Sequence, residues 1–342
     1  MCAMLALTLM LGGLTASAGA REIMGAGATF PLPLYQRMFD AYNREFGIRV
    51  NYQGIGSGGG IRQIRNRTVD FGGTDAILSD AVMEELKENP LLHVPVCLGA
   101  VVVTYNLPRN PVLNMTPELI ADIYLGEITK WNDERIAELN PRVRLPDMNI
   151  IVVRRSDGSG TTFIFSDYLS KVSPAWKEKV GMGTSLNWPV GLGGRGNPGV
   201  AGYVRQVPGA IGYVEYIYAH HNRLPAANVK NNSGNFITPT TEAVSLAADV
   251  PMPEDMRVSI TDTDAAKGYP ISGFTWLLVY REQNYGGRSI EQAKALVDML
   301  WWMTHEGQVH MPPLHYAPLA GEAITAAENL INSITYNGRP VR

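Results

Sequence analysis

Ten consecutive residues carry most of the chemistry in this chain: Arg154-Arg155-Ser156-Asp157-Gly158-Ser159-Gly160-Thr161-Thr162-Phe163. Arg155 offers a planar fork that matches the paired oxygens of a phosphate or a carboxylate. Ser159 and Thr161 add hydroxyl donors, and Gly158 and Gly160 let a backbone come close to a ligand. Asp157 stands two residues from Arg155, where it can hold the fork by accepting one of its N–H groups. The chemistry these types suit is the binding of an anion. Taken alone, the run fits a tight turn with a capped helix equally well.

The flanks position it. Asn149 to Val153 is a short apolar, β-branched run that predicts a buried strand, and Thr161 to Leu169 has the apolar spacing of a helix. A turn between them leaves the first N–H groups of the helix unpaired, with the positive end of its dipole behind them. That is a ready anion site. Two other stretches repeat the form. Gly25-Ala-Gly-Ala-Thr29-Phe30 opens onto a helix carrying Leu34, Tyr35, Met38, Phe39 and Tyr42. Arg49 to Ile55 predicts a strand, Gly56-Ser57-Gly58-Gly59-Gly60 a turn, and Ile61 to Arg67 a short helix. Val69 to Asp75 then reads as a strand ending on a carboxylate, and Ser79 caps a helix through about Lys87.

Residues 91–106 form a long apolar run, Thr116-Pro117-Glu118 starts a helix, and Trp131 to Leu139 predicts another. Gly191 to Pro198 punctuates before a helix from Gly199 to Gln206, and Gly209 to Glu215 reads as a strand. Residues 220–269 have weak periodicity. Phe274 to Tyr280 predicts a strand, and a capping box at Ser289 and Gln292 opens an amphipathic helix with Val297, Leu300 and Trp301, stopped by Gly307. Strands alternating with helices imply an α/β architecture. Chain crossings near 95–106 and 270–280 would build one lobe from residues 21–97 with 275–342 and the other from 98–274. Thr29, Ser57 and Asp75 then come from the first lobe, and Arg155, Ser159 and Thr161 from the second. Ligands in such sheets bind beyond the carboxyl ends of the strands, where all these turns lie.

With 342 residues, 45% hydrophobic content, 35 glycines and a net charge of −3, the chain is expected to be globular and is a poor candidate for a nucleic-acid binder. Residues 1–20 contain no charged side chain and carry an apolar run from Leu5 to Leu14, followed by Ala-x-Ala sites ending at Ala18 and Ala20. This predicts a cleaved secretory signal peptide, the run being shorter than the ~20 residues a membrane span needs. The usual basic leader is missing, which allows a true start upstream of Met1. Cys2 would leave with the signal, and Cys97, inside an apolar run, is expected to be an inert buried thiol.

Enzyme motifs fail on spacing. No turn carries a P-loop lysine, Ser57 and Ser159 lack the G-x-S-x-G frame, and the turn at Gly25 lacks the third glycine of a dinucleotide fingerprint. His305 and His310 are five apart rather than four, so no metal is expected there, and His220-His221 reads as a solvated pair. What remains is a set of hydroxyl and N–H donors with one arginine and one carboxylate. Such a set suits holding an oxyanion better than attacking it.

Gly25 to Pro31, Gly54 to Gly60, Asp70 to Asp75 and Arg154 to Thr161 resemble the motifs of the PstS family, the periplasmic phosphate-binding proteins of high-affinity phosphate ABC transporters. Trp131-Asn-Asp-Glu, Gly191-Leu-Gly-Gly and Pro208 to Tyr216 match in order and spacing, so the resemblance covers about residues 24–218 and resumes near 270–280. It implies a type II periplasmic-binding fold: two lobes of mixed β-sheet flanked by helices, joined by two crossing strands. It also implies phosphate contacts at Thr29, Phe30, Ser57, Asp75, Arg155, Ser159, Gly160 and Thr161, with Asp157 steering Arg155. The expected protein is a periplasmic monomer without cofactor or catalysis, whose partners are inorganic phosphate and the membrane permease of a phosphate ABC transporter. Gly58, Thr74 and Ser156 depart from the common residues without removing a donor. The alternatives are a secreted phosphohydrolase or phosphotransferase, which lacks an evident nucleophile or metal, and a sulfate- or molybdate-binding relative, against which Asp75 argues.

Overall fold

The apolar spacing of Leu34, Tyr35, Met38, Phe39 and Tyr42 makes one buried face of helix α1, Leu32–Phe46, in a computed structural model that describes residues 22–342. Burying each such side chain contributes about 1.5–3 kcal/mol. The expected signal peptide lies outside the described residues.

In chain order, β1 is Glu22–Gly27, and α1 is followed by β2 (Arg49–Gly54), α2 (Ser57–Arg65), β3 (Phe71–Thr74), α3 (Asp80–Glu85) and β4 (Leu91–Tyr105). Then come β5 (Asn114–Met115), α4 (Pro117–Leu125), α5 (Glu134–Leu139), β6 (Ile151–Arg155), α6 (Gly160–Val172), α7 (Pro174–Lys179), β7 (Leu192–Gly194), α8 (Gly196–Gln206), β8 (Ala210–Glu215) and α9 (Tyr216–His221). The rest comprises β9 (Asn228–Lys230), β10 (Phe236–Ile237), α10 (Thr241–Ala247), β11 (Ser272–Tyr280), α11 (Ile290–Thr304), two 3-10 turns (Glu306–His310 and Pro312–Leu314), β12 (Ala317–Pro318), α12 (Glu322–Asn332), β13 (Thr335–Tyr336) and β14 (Arg339–Pro340).

The main sheet runs β2-β1-β3-β11-β4-β8-β6-β7, with β12 also on β4. It is mixed: β1 is parallel to β2 and β3, β11 is antiparallel to β3 and β4, and β8 is antiparallel to β4 but parallel to β6. Strand β4 decides the architecture, because it pairs with β11 through Ala100 and with β8 from Val101 onward. Two lobes therefore share one strand. The larger of two apolar clusters follows it, from Ile23 and Phe39 through Val101 and Val102 to Tyr213 and Trp176, and a smaller one lies in the first lobe around Ala26, Ile64, Leu278 and Tyr280. Among the described residues no helix is long and apolar enough to cross a membrane.

Local expectations shift in four places. Helix α2 begins at Ser57, so the glycines placed in a turn form its first turn. Trp131 precedes α5 and is a core residue whose indole N–H donates to the Gly209 carbonyl at 2.9 Å. The punctuation at 191–198 contains a strand, β7, and the start of α8. Helix α11 ends at Thr304, ahead of Gly307, although its capping box forms as expected.

Candidate anion-binding site

The three glycine-rich turns meet. Thr29 and Phe30 follow β1, Ser57 opens α2, Asp75 follows β3, Arg155 ends β6, and Ser159 to Thr161 open α6. The side chains of Thr29, Ser57, Asp75, Arg155, Ser159 and Thr161 are all buried, none more than 3% exposed. All nine residues expected from the sequence, Asp157 included, fall in this one region.

Each hydroxyl is already occupied as an acceptor. Thr29 Oγ1 accepts from the N–H and from Nδ2 of Asn197, both at 3.0 Å. Thr161 Oγ1 accepts from Arg155 Nη1 at 3.2 Å and from Asn197 Nδ2 at 3.0 Å. Ser57 Oγ accepts from the N–H groups of Gly160 (3.1 Å) and Asp75 (3.2 Å). Ser159 Oγ caps α6 by accepting from Thr162 N at 3.0 Å. A hydroxyl has two lone pairs and one proton, so Thr29, Ser57 and Thr161 have only a proton left to offer, that of Ser57 lying 3.5 Å from Asp75 Oδ2 when measured from its oxygen. Three such groups form a surface that donates.

Arg155 is fixed in the same sense. Its Nε donates to Asp157 Oδ1 at 2.8 Å and its Nη2 to Asp157 Oδ2 at 2.6 Å. With Nη1 on Thr161, three of its five N–H groups are used and one remains on each terminal nitrogen. Asp157 also accepts from Gly196 N at 3.0 Å, and although burial raises its pKa, the contacts with Arg155 outweigh that and hold it below the usual carboxylate range. Behind the arginine, Tyr213 OH accepts from Arg155 N at 3.2 Å and is stacked on Phe165 with centroids 4.4 Å apart. Among the described residues, the N–H groups of Phe30, Ser57 and Thr161 have no acceptor. Gly160 N, by contrast, is engaged by Ser57 Oγ.

The carboxylate among these donors is Asp75. Burial pushes its pKa up to about 7, against the pull of the Thr275 hydroxyl on Oδ1 (2.8 Å), the Arg155 charge and Ser57. It can therefore accept or carry a proton near neutrality. Across from it, a Cβ on Gly160 would lie 2.5 Å from Asp75 Oδ2 and from Ser57 Oγ, so only glycine lets the end of α6 approach this closely. The lobes also touch through backbone, Gly58 N donating to the Gly158 carbonyl at 2.9 Å. The arrangement is closed.

Sequence reasoning missed Asn197. It is fully buried, joins Thr29 of one lobe to Thr161 of the other, and accepts from Glu215 N at 2.9 Å. The available signal was that Gly191 to Pro198 has the same strand–turn–helix form as the other three turns. Tyr218 OH, on the Thr29 carbonyl at 2.5 Å, and Tyr316 OH, on the Phe30 carbonyl at 2.6 Å, were missed for lack of any local pattern.

The model of the PBP superfamily domain matches residues 14–301. A phosphate-binding protein PstS of Pasteurella multocida is 43% identical over 89% of this chain and 88% of its own length. The chain belongs to the PstS family of phosphate-binding proteins. A second family member, from Xylella fastidiosa strain 9a5c, is 42% identical over 90% of this chain and 84% of its own. Among solved structures, a human phosphate binding apolipoprotein superposes with a TM-score of 0.74, covering 93% of this chain and 99% of that one. Its 18% identity makes it evidence for the two-lobed fold alone.

Proposed function

We propose that the protein captures inorganic phosphate between its lobes and delivers it to the permease of a phosphate ABC importer, acting by binding and not by catalysis. The observation that carries this reading is the saturation of the hydroxyl lone pairs. Thr29, Ser57 and Thr161 can only donate, the two spare N–H groups of Arg155 add a charged fork, and Asp75 alone can accept. An oxyanion that still bears a proton satisfies every member of the set. Phosphate near neutral pH is such an ion, and fully ionised sulfate is not. Ser159, Gly160 and Phe30 complete the cage in this reading, Asp157 orients Arg155, and neither cofactor nor metal takes part.

The names of the family members support phosphate as the ligand. We take the lobes as 21–97 with 275–342 and 98–274 to within a few residues, supported by the change of partner along β4 between Ala100 and Val101. A periplasmic, monomeric protein freed of a signal peptide is the form this role requires.

Calorimetry of the phosphate-depleted protein against phosphate, arsenate, sulfate and molybdate tests the reading. At a pH well above 7, where Asp75 is ionised, saturable heat with phosphate and arsenate and none with sulfate is expected. A protein that ignores phosphate, or that prefers sulfate or molybdate, refutes it.

A further inference from the structure

The stretch with the weakest periodicity ties the lobes together beside Asp75. Arg257 donates from Nη1 to the Leu78 carbonyl at 3.0 Å and to Asp80 Oδ1 at 2.7 Å, and its Nε is held by Asp255 Oδ2 at 2.8 Å. Leu78 and Asp80 belong to the first lobe, on the segment that leaves Asp75. The Leu78 peptide is held from its other side too, its N–H donating to Nε2 of His93 at 3.2 Å.

Two residues further on, the grip passes to the second lobe. Ser259 Oγ and Thr261 Oγ1 donate to Asp167 Oδ2 of α6 at 2.5 and 2.6 Å, and Lys171 Nζ reaches Ser259 Oγ at 2.9 Å and Thr261 Oγ1 at 2.7 Å. Only Val258 separates the two grips, and one extended residue spans at most about 3.6 Å. Opening that carries α6 away from Asp75 by more than the Arg257 and Lys171 side chains can take up therefore breaks one of them. Val258 to Thr261 also line a crevice with Asp75, Ile77, Phe163 and Ile164 whose free volume is about 10 Å³, no more than a single water fills. The strap seals that flank of the carboxylate.

We propose that residues 255–261 form an interlobe clasp, made only in the closed protein, and that Arg257 is a positioning residue which slows the release of bound ligand without touching it. The proposal rests on the phosphate reading above. The clasp is weaker on its ionic side, because Asp80 is 93% exposed and its pairing with Arg257 is screened. The bond to the buried Leu78 carbonyl carries more. A lysine keeps the charge but lacks the fork that reaches Leu78, Asp80 and Asp255 together.

The test is stopped-flow tryptophan fluorescence of the full protein with inorganic phosphate, in wild type, Arg257→Gln, Arg257→Lys, Asp80→Asn and the Arg257→Gln/Asp80→Asn double variant. Arg257→Gln is expected to speed release about 3- to 10-fold, Arg257→Lys less, and Asp80→Asn about 2-fold, with association within about 2-fold of wild type. The double variant should match Arg257→Gln, since Asp80 acts through Arg257. Wild-type release in all the variants overturns the clasp, as does a loss that appears only in association. If Arg257→Gln does not fold, Arg257→Lys and the exposed Asp80→Asn decide on the same criteria. If wild type binds no phosphate, the functional reading fails by itself. The clasp is then judged by solution scattering, where a larger radius of gyration in Arg257→Gln supports it and an equal one overturns it.

Discussion

The two sides of the cleft are built from similar turns yet differ in charge. The second lobe presents Arg155, with Asp157 as its orienting partner, and the N-terminus of α6. The first presents the hydroxyls of Thr29 and Ser57 around Asp75, a carboxylate where an anion is to sit. Both lobes offer N–H and hydroxyl donors, but on the phosphate reading the countercharge resides in one lobe and the rejecting carboxylate in the other. On that reading a bound oxyanion would meet its countercharge on one side and supply a proton to the ionised carboxylate on the other, so that closure itself would test the ligand.

Removing the rejecting side should have the largest effect. Sites built to bond a substrate hydroxyl reject analogues lacking it by about 10⁴–10⁵. Because the Asp75 carboxyl titrates near 7 and its protonated form can donate to sulfate, wild type should approach that order of preference only well above pH 7 and lose it as pH falls. Asp75→Asn, whose amide can donate, should instead show a lower and pH-independent ratio of about 10² or less. Competitive titration of the folded variant checks this. Undiminished discrimination would show that Asp75 is not the filter.

The same carboxylate should show itself without ligand. Its pKa lies near 7 in the folded protein and near 4 in an unfolded chain. Between those values the folded state holds a proton that the unfolded state has lost, so stability falls as pH rises through the window and is level above it. Asp75→Asn removes this burden. Its advantage over wild type should grow by about 2–3 kcal/mol from pH 5 to pH 8, a few degrees in thermal midpoint. Parallel melting curves for the two proteins at both pH values would mean that Asp75 titrates normally.

The contrast between the lobes was legible because each turn announces its chemistry locally. Glycine, hydroxyl and charge stand within a few residues of a strand end, and the buried face of α1 and the caps at Ser79, Thr116 and Ser289 follow the same local rules. What escaped reading is what acts across the fold. Nothing near Thr275 or Tyr316 shows that they bond Asp75 and the Phe30 carbonyl from hundreds of residues away. Residues 220–269 have little period to detect, since their strands are two or three residues long. They are held instead by side chains such as Asn231, whose Nδ2 donates to the carbonyls of Ala265, Ala266 and Gly268.

Weakening the attracting side should cost affinity without relaxing selectivity. Arg155→Ala loses charge-assisted bonds and leaves Asp157 without its partner, so binding should weaken by about 1.5–3 kcal/mol, roughly 10- to 150-fold. Arg155→Lys should recover only part, because an ammonium cannot present two parallel N–H groups while a third holds Thr161. The phosphate-to-sulfate ratio should survive in both variants. Titrations that match wild type would remove Arg155 from the site, and a collapsed ratio would mean that the lobes do not divide their tasks.

Asn197 belongs to neither side and sharpens the comparison most finely. It sits on α8 in the second lobe, yet two of its N–H groups reach Thr29 of the first, while its Oδ1 stays on Glu215 N and its Nδ2 on Thr161. The bonds to Thr29 exist only when the lobes are together. They also occupy both lone pairs of that hydroxyl and turn its proton outward. Asn197→Ala removes the side-chain bonds but keeps the backbone N–H, so the loss should be modest, about 1–2 kcal/mol or 5- to 30-fold in phosphate affinity. It should fall mainly on the dissociation rate, since the amide acts on the closed state and not on the first encounter. Asn197→Asp can still accept from Glu215 N but offers Thr29 and Thr161 acceptors in place of a donor, and should do worse than alanine. An aspartate variant that binds as well as wild type would show that the hydroxyls of Thr29 and Thr161 need no partner to set their direction, and the donating surface of the cleft would then require another cause.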